Sequence, residues 1–103
     1  MARLYDEDRD VYRICKYITD RAAYPVYDNT GVTYFSLGED KLSRLKWELE
    51  SARRYIFLEY FIIEEGEVWN GILDILKRKA SQGVDVRVLY DDFGCVSKLP
   101  YRY

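Results

Sequence analysis

The stretch Arg54–Ile63, RYIFLEYFII, decides the fold. It is the most apolar run in the chain and is rich in aromatic and β-branched residues. It is too short to cross a membrane. As a strand it sets Tyr55, Phe57, Phe61 and Ile63 on one face and Ile56, Leu58, Tyr60 and Ile62 on the other. Apolar side chains on both faces are the pattern of a central strand covered by helices on either side. Glu59 interrupts that pattern at its centre, where a carboxylate is costly unless paired or hydrogen-bonded.

Downstream, Glu64-Glu65-Gly66 turns the chain into a helix over Glu67–Gln82. Its apolar face is wide: Val68, Trp69, Ile72, Leu73, Ile75, Leu76 and Ala80. Lys77, Arg78 and Lys79 sit near the C-terminus, the end that favours cations, and read as a solvated helix end. Gly83 suits the residue just past the helix. A second strand over Val84–Asp92 follows, with Val84, Val86, Val88 and Tyr90 facing one way. Strand, helix and strand of these lengths predict a right-handed βαβ unit with parallel strands. The tail from Phe93 carries no periodicity.

Upstream, Ser36-Leu37-Gly38-Glu39 fits a capping box and predicts a helix to about Arg53, with Leu42, Leu45, Leu49 and Ala52 buried. Trp47 lies off that stripe, either partly exposed or covered by a neighbour. Tyr24–Phe35 predicts a hairpin: Pro25 suits a strand edge, and Asp28-Asn29-Thr30-Gly31 a turn. Asp6–Arg21 predicts a first helix, with Val11, Ile14, Cys15 and Ile18 on one stripe. Asp6, Glu7, Asp8 and Asp10 crowd its start, and that acidity argues against a membrane-surface helix.

Composition bounds the chemistry. At 103 residues the chain holds at most one domain, with enough length for one core. A formal charge of −2 gives no global attraction to nucleic acid or to an anionic bilayer. The two cysteines, Cys15 and Cys95, are far apart and read as free thiols of a reducing, cytoplasmic-type compartment. Met1–Asp10 is charged, unlike a signal peptide, and no transmembrane segment is visible. Histidine is absent altogether. That excludes Ser-His-Asp and Cys-His nucleophilic sites within these residues, and two lone cysteines cannot complete a usual zinc site. No GxGxxG or Walker A sequence is present, and no base-reading motif for nucleic acid.

Two places could carry chemistry. Glu59 reads either as a buried ion pair with Arg87 of the neighbouring strand, as a polar support beneath a site, or as a direct acid or base. Asp91 and Asp92 stand at the carboxyl end of the second strand, where open parallel sheets bind ligands. Being adjacent, they point to opposite faces: one is expected to cap the next turn and the other to face the crevice. A magnesium site fits by ligand type, but the motif is too short to specify one.

Beyond these patterns, the wording resembles a known family. The matching pieces are Tyr24-Pro25-Val26-Tyr27, Tyr34-Phe35 with Leu37-Gly38-Glu39, Tyr55–Ile63, Ile72-Leu73-Asp74-Ile75-Leu76, and above all Gly83–Cys95 with Leu99-Pro100 after it. They resemble bacterial cardiolipin synthases of the phospholipase D superfamily. The resemblance implies an α/β sandwich fragment, a mixed sheet with a βαβ unit, with residues 1–23 a helix or linker and residues 24–103 an incomplete front part of the first of two catalytic domains. It implies transfer of a phosphatidyl group between two phosphatidylglycerol molecules with release of glycerol, without a metal or other cofactor. In that family each domain supplies an H-x-K-x-x-x-x-D motif. This chain has no histidine, so no catalytic residue carries over and the 103 residues alone are expected to be inert. Glu59, Tyr60, Asp91 and Asp92 match core-strand positions near the site, and the resemblance gives them only a supporting or lining role. The parent enzyme is expected at the cell membrane through segments not in this chain, and the fragment itself in solution. The fragment is expected to expose a strand edge and to self-associate. Two rival readings are a stand-alone interaction module that uses its aromatic surface, and a piece of another phospholipase D-type phosphodiesterase or nuclease.

Overall fold

The computed structural model describes residues 2–103. They form two compact units, 1–34 and 35–103. The first holds α1 (Ala2–Glu7) and α2 (Arg9–Ala22), followed by irregular chain. The second runs α3 (Gly38–Ser51), β1 (Tyr55–Tyr60), α4 (Glu67–Ser81), β2 (Asp85–Tyr90) and the short α5 (Asp92–Cys95).

In the first unit, the expected single helix is divided at Asp8. Its carboxylate turns back to accept from the backbone N–H groups of Asp10 and Val11, both at 3.0 Å, and so caps α2. An aspartate is more useful at such a cap than inside a helix, where it competes with the backbone. Tyr5 of α1 meets Tyr12 of α2 edge to face, ring centroids 5.0 Å apart. The expected hairpin over Tyr24–Phe35 does not form: residues 23–35 have no regular secondary structure. A lone two-stranded hairpin is marginal in water. Tyr24, Val26, Tyr27, Val32 and Tyr34 are all exposed, so no buried face repays the pairing.

The second unit is built on β1, α4 and β2. The strands pair in parallel from Tyr55↔Asp85 to Tyr60↔Tyr90. Among the described residues this two-stranded sheet is all there is, so it is parallel rather than mixed. Ile56, Leu58 and Tyr60 share one face with Val86, Val88 and Tyr90. Against these pack Trp69, Ile72, Ile75 and Leu76 of α4 and Leu49 of α3, with Leu42, Leu45 and Ala52 at the margin. The βαβ pattern and the apolar stripes of both helices are as the sequence predicts. Trp47 is 58% exposed, with the Arg44 guanidinium over its ring.

The opposite sheet face departs from expectation. Helices cover one side only, and Tyr55, Phe57, Glu59, Asp85, Arg87 and Leu89 stand exposed on the other. α3 also starts differently. Its N-cap is Leu37, which offers no side-chain acceptor, so the Ser36–Glu39 box is not made. Glu39 and Asp40 in the first turn still favour the helix dipole. Lys79 is buried rather than solvated: its Nζ donates to the Glu50 carbonyl at 2.8 Å, beside an Arg78–Glu50 ion pair, and so pins α4 to the end of α3. α4 ends where Gly83 adopts φ +88°, a left-handed conformation that favours glycine.

Candidate functional site

The carboxyl ends of β1 and β2 open together, because parallel strands of equal length run in register. A cleft of ≈ 370 Å³ lies there, lined by Glu59, Tyr60, Phe61, Leu89, Tyr90 and Asp91. Three of the four residues singled out from the sequence, Glu59, Tyr60 and Asp91, therefore meet at one place. Asp92 lies instead beside Tyr90, Cys95, Leu99 and Arg102, in a separate hollow formed with the tail.

Asp91 is held by its own loop. Its backbone N–H donates to the Tyr60 carbonyl at 3.3 Å, prolonging the ladder one step beyond β2. Its Oδ1 accepts from the Gly94 N–H at 2.6 Å and caps α5. The capping role expected of one member of the Asp91-Asp92 pair thus belongs to Asp91. That bond fixes the carboxylate in direction, and Asp91 also lines the cleft.

The tail, which shows no periodicity, is nevertheless ordered against β1. Cys95 is buried, and its Sγ accepts from the Ile63 N–H at 3.1 Å. Gly94 passes so close to the Phe61 carbonyl that an added Cβ would lie 2.5 Å from that oxygen. Lys98 pairs with Glu64 at 3.1 Å, and the Trp69 indole N–H donates to the Tyr103 hydroxyl at 2.8 Å. Tyr60 stands edge to face on Trp69, centroids 6.1 Å apart. Sequence reasoning missed these tethers. The signal was present in Gly94-Cys95, a residue without a side chain beside one that prefers burial.

Glu59 is not buried, and the expected Glu59–Arg87 ion pair is not formed. In the parallel register Glu59 lies opposite Leu89, while Arg87 lies opposite Phe57. Arg87 instead donates to Asp85, two residues back on its own strand and face, through Nε at 3.1 Å and Nη2 at 2.9 Å. That hydrogen-bonded carboxylate, and then its charge, raise the Arg87 pKa above its ordinary value. The guanidinium also lies over the Phe57 ring, 5.2 Å from its centroid. Glu59 stays in water on the uncovered face, so its charge carries no burial cost in this chain.

Chemically, the cleft offers two carboxylates and two phenols but no nucleophile of the usual kinds. Among the described residues, no three Cys, Asp or Glu side chains gather closely enough to hold a metal ion.

Several relatives of the chain are named cardiolipin synthase. It is 39% identical over 73% of its length to a protein of Oceanobacillus iheyensis named cardiolipin synthase. It is 37% identical over the same share to a cardiolipin synthase of Staphylococcus aureus strain Mu50. An uncharacterized protein of Streptococcus mutans is 43% identical over 98% of the chain. The chain spans only 22% of the Streptococcus protein and 15% of each of the other two. No family model matches the chain, and no solved structure matches it.

Proposed function

We propose that the chain is the front part of the first catalytic domain of a phosphatidyltransferase, a cardiolipin synthase of the phospholipase D type. The observation that carries this reading is the 37–39% identity with proteins of that name over 73% of the chain. The βαβ unit and the cleft at its carboxyl end are in keeping with it. In this reading residues 1–23 are a helical linker and residues 24–103 belong to an α/β sandwich. Further strands and helices of the parent then cover the face of Tyr55, Phe57 and Leu89. The parent sits at the cell membrane through segments outside this chain.

The reaction joins two phosphatidylglycerol molecules. A histidine outside this chain attacks the phosphodiester phosphorus of the first, forming a P–N bond, and the P–O bond to glycerol breaks. A second histidine protonates the departing glycerol. It then takes the proton from a glycerol hydroxyl of the second phosphatidylglycerol, whose oxygen displaces the first histidine and completes cardiolipin. Lysines of the same motifs neutralise the phosphate charge. Glu59, Tyr60, Asp91 and Asp92 have supporting roles. Asp91 is the best placed of them, because it lines the cleft and its carboxylate is held by the Gly94 N–H.

The test is to read the source gene past the codon for Tyr103 and assay its complete product. The expected result is an H-x-K-x-x-x-x-D motif within a few dozen codons, a second one later, and conversion of phosphatidylglycerol to cardiolipin plus glycerol. The purified 103-residue chain should form none. A complete product that hydrolyses phosphodiesters without forming cardiolipin, or a 103-residue chain that forms it alone, overturns the reading.

A further inference from the structure

The turn after β1 supplies part of the cleft wall, yet the sheet does not hold it. Phe61 lines the cleft together with Asp91 of the loop after β2. The ladder ends at Tyr60↔Tyr90, with one further bond from the Asp91 N–H to the Tyr60 carbonyl. Beyond that point, among the described residues, residues 61–65 make no backbone–backbone hydrogen bond. Phe61 and Ile62 are exposed, so packing does not fix them either; only Ile63 is buried.

Cys95 is what holds the turn. Its Sγ accepts from the Ile63 N–H at 3.1 Å and lies 3.7 Å from the Phe61 carbonyl oxygen, within reach of its own S–H as donor. One thiol therefore serves two backbone groups of the turn. Ile63 and Cys95 are each 3% exposed, so an Ile63 N–H deprived of the sulfur would stand unpaired in the interior. Among the described residues the other side-chain bond to the turn is Lys98–Glu64, which joins exposed groups and is weak. Cys95 is tied equally to the other side of the cleft. Its N–H donates to the Asp91 carbonyl at 3.1 Å, and its neighbour Gly94 donates to the Asp91 carboxylate at 2.6 Å.

We propose that Cys95 is a positioning residue of the cleft. Its thiol locks the turn 61–64 to the loop 91–95 and so sets Phe61 and Asp91, two residues of the cleft wall, against each other. The thiol works as a hydrogen-bonding group and touches no reacting atom, a use that suits a sulfur buried away from reagents. For catalysis this role rests on the phosphatidyltransferase reading; for the shape of the cleft it stands without it.

Amide hydrogen exchange of the 103-residue chain tests the lock. Cys95→Ala should speed exchange at Ile63 and at Gly94 at least about tenfold relative to Leu76 in α4. Cys95→Ser, whose hydroxyl can still accept and donate, should restore most of that protection. Kinetics of the complete gene product test the consequence. Cys95→Ala should lower kcat for cardiolipin formation about tenfold, with KM changed by less than about threefold. Cys95→Ser should recover most of the loss. Leu49→Ala, a core change outside the cleft, should lower the melting temperature and leave the kcat of the folded enzyme as it is. Unchanged exchange at Ile63 in Cys95→Ala, a serine variant as impaired as the alanine one, an unchanged kcat in Cys95→Ala, or a loss of kcat that Leu49→Ala reproduces overturns the proposal. A complete product that forms no cardiolipin overturns the phosphatidyltransferase reading instead, and the exchange pattern then decides the role of Cys95 by itself.

Discussion

The two units spend their apolar residues differently. Residues 35–103 bury Leu49, Ile56, Ile63, Trp69, Ile72, Ile75, Leu76, Val84 and Cys95 in one cluster. Among residues 3–34 none is buried, although the stripe of α2 is as regular as that of α4. Periodicity therefore announces that a helix has a face, not that the chain supplies something to cover it. In the second unit the sheet meets the stripe of α4. In the first, α1 is short and the following segment is irregular, so helix formation rests on the Asp8 cap and on pairs such as Lys16–Asp20. The hydrogen bond and then the charge of Asp20 raise the Lys16 pKa above its ordinary value.

Core truncation should widen the contrast most. Leu76→Ala should cost about 2–5 kcal/mol and bring residues 35–103 close to unfolding, as read from Trp69 fluorescence in urea. Ile14→Ala should change the same transition by less than about 0.5 kcal/mol. Equal effects would mean that the stripe of α2 is covered after all. Within the second unit, Gly94→Ala should rank next, at about 1–3 kcal/mol, because the new methyl group meets the backbone oxygen of Phe61 rather than a movable side chain. If that variant melts like the parent, the α5 tether is not part of the cooperative unit. Asp91→Ala should be mildest, at about 1 kcal/mol for a lost cap. Asp91→Asn should recover most of it, because the amide oxygen can still accept from Gly94.

What the sequence revealed follows the same division. The βαβ unit was legible because the alternation in Val84–Tyr90 and the spacing in α4 answer to a partner inside the chain. The hairpin at Tyr24–Phe35 was misread because turn chemistry and β-branched residues specify a strand only when a sheet is present to receive it. Glu59 was misread for a related reason. Two apolar faces imply two covering layers, and the chain provides one, so the residue expected in the interior stands in water. Its supposed partner was lost to distance along the strand: Asp85 lies on the same strand and face as Arg87 and reaches it without crossing the sheet. At the cleft, residue types located the strand end correctly. They could not show that Asp91 bonds to Gly94, or that the Cys95 sulfur serves the backbone of Ile63.

The uncovered face of the sheet has a thermodynamic consequence. Phe57 and Leu89, 57% and 64% exposed, belong to a surface whose burial is still outstanding. Whatever seats on that surface and ignores the unfolded chain adds to stability by mass action, by about 2.7 kcal/mol when present at a hundredfold its dissociation constant. An occupant of that face would therefore be read as a rise in the melting temperature of residues 35–103 with its concentration, whereas an unchanged melting temperature across protein concentrations would show that the chain does not cover the face with a second copy of itself.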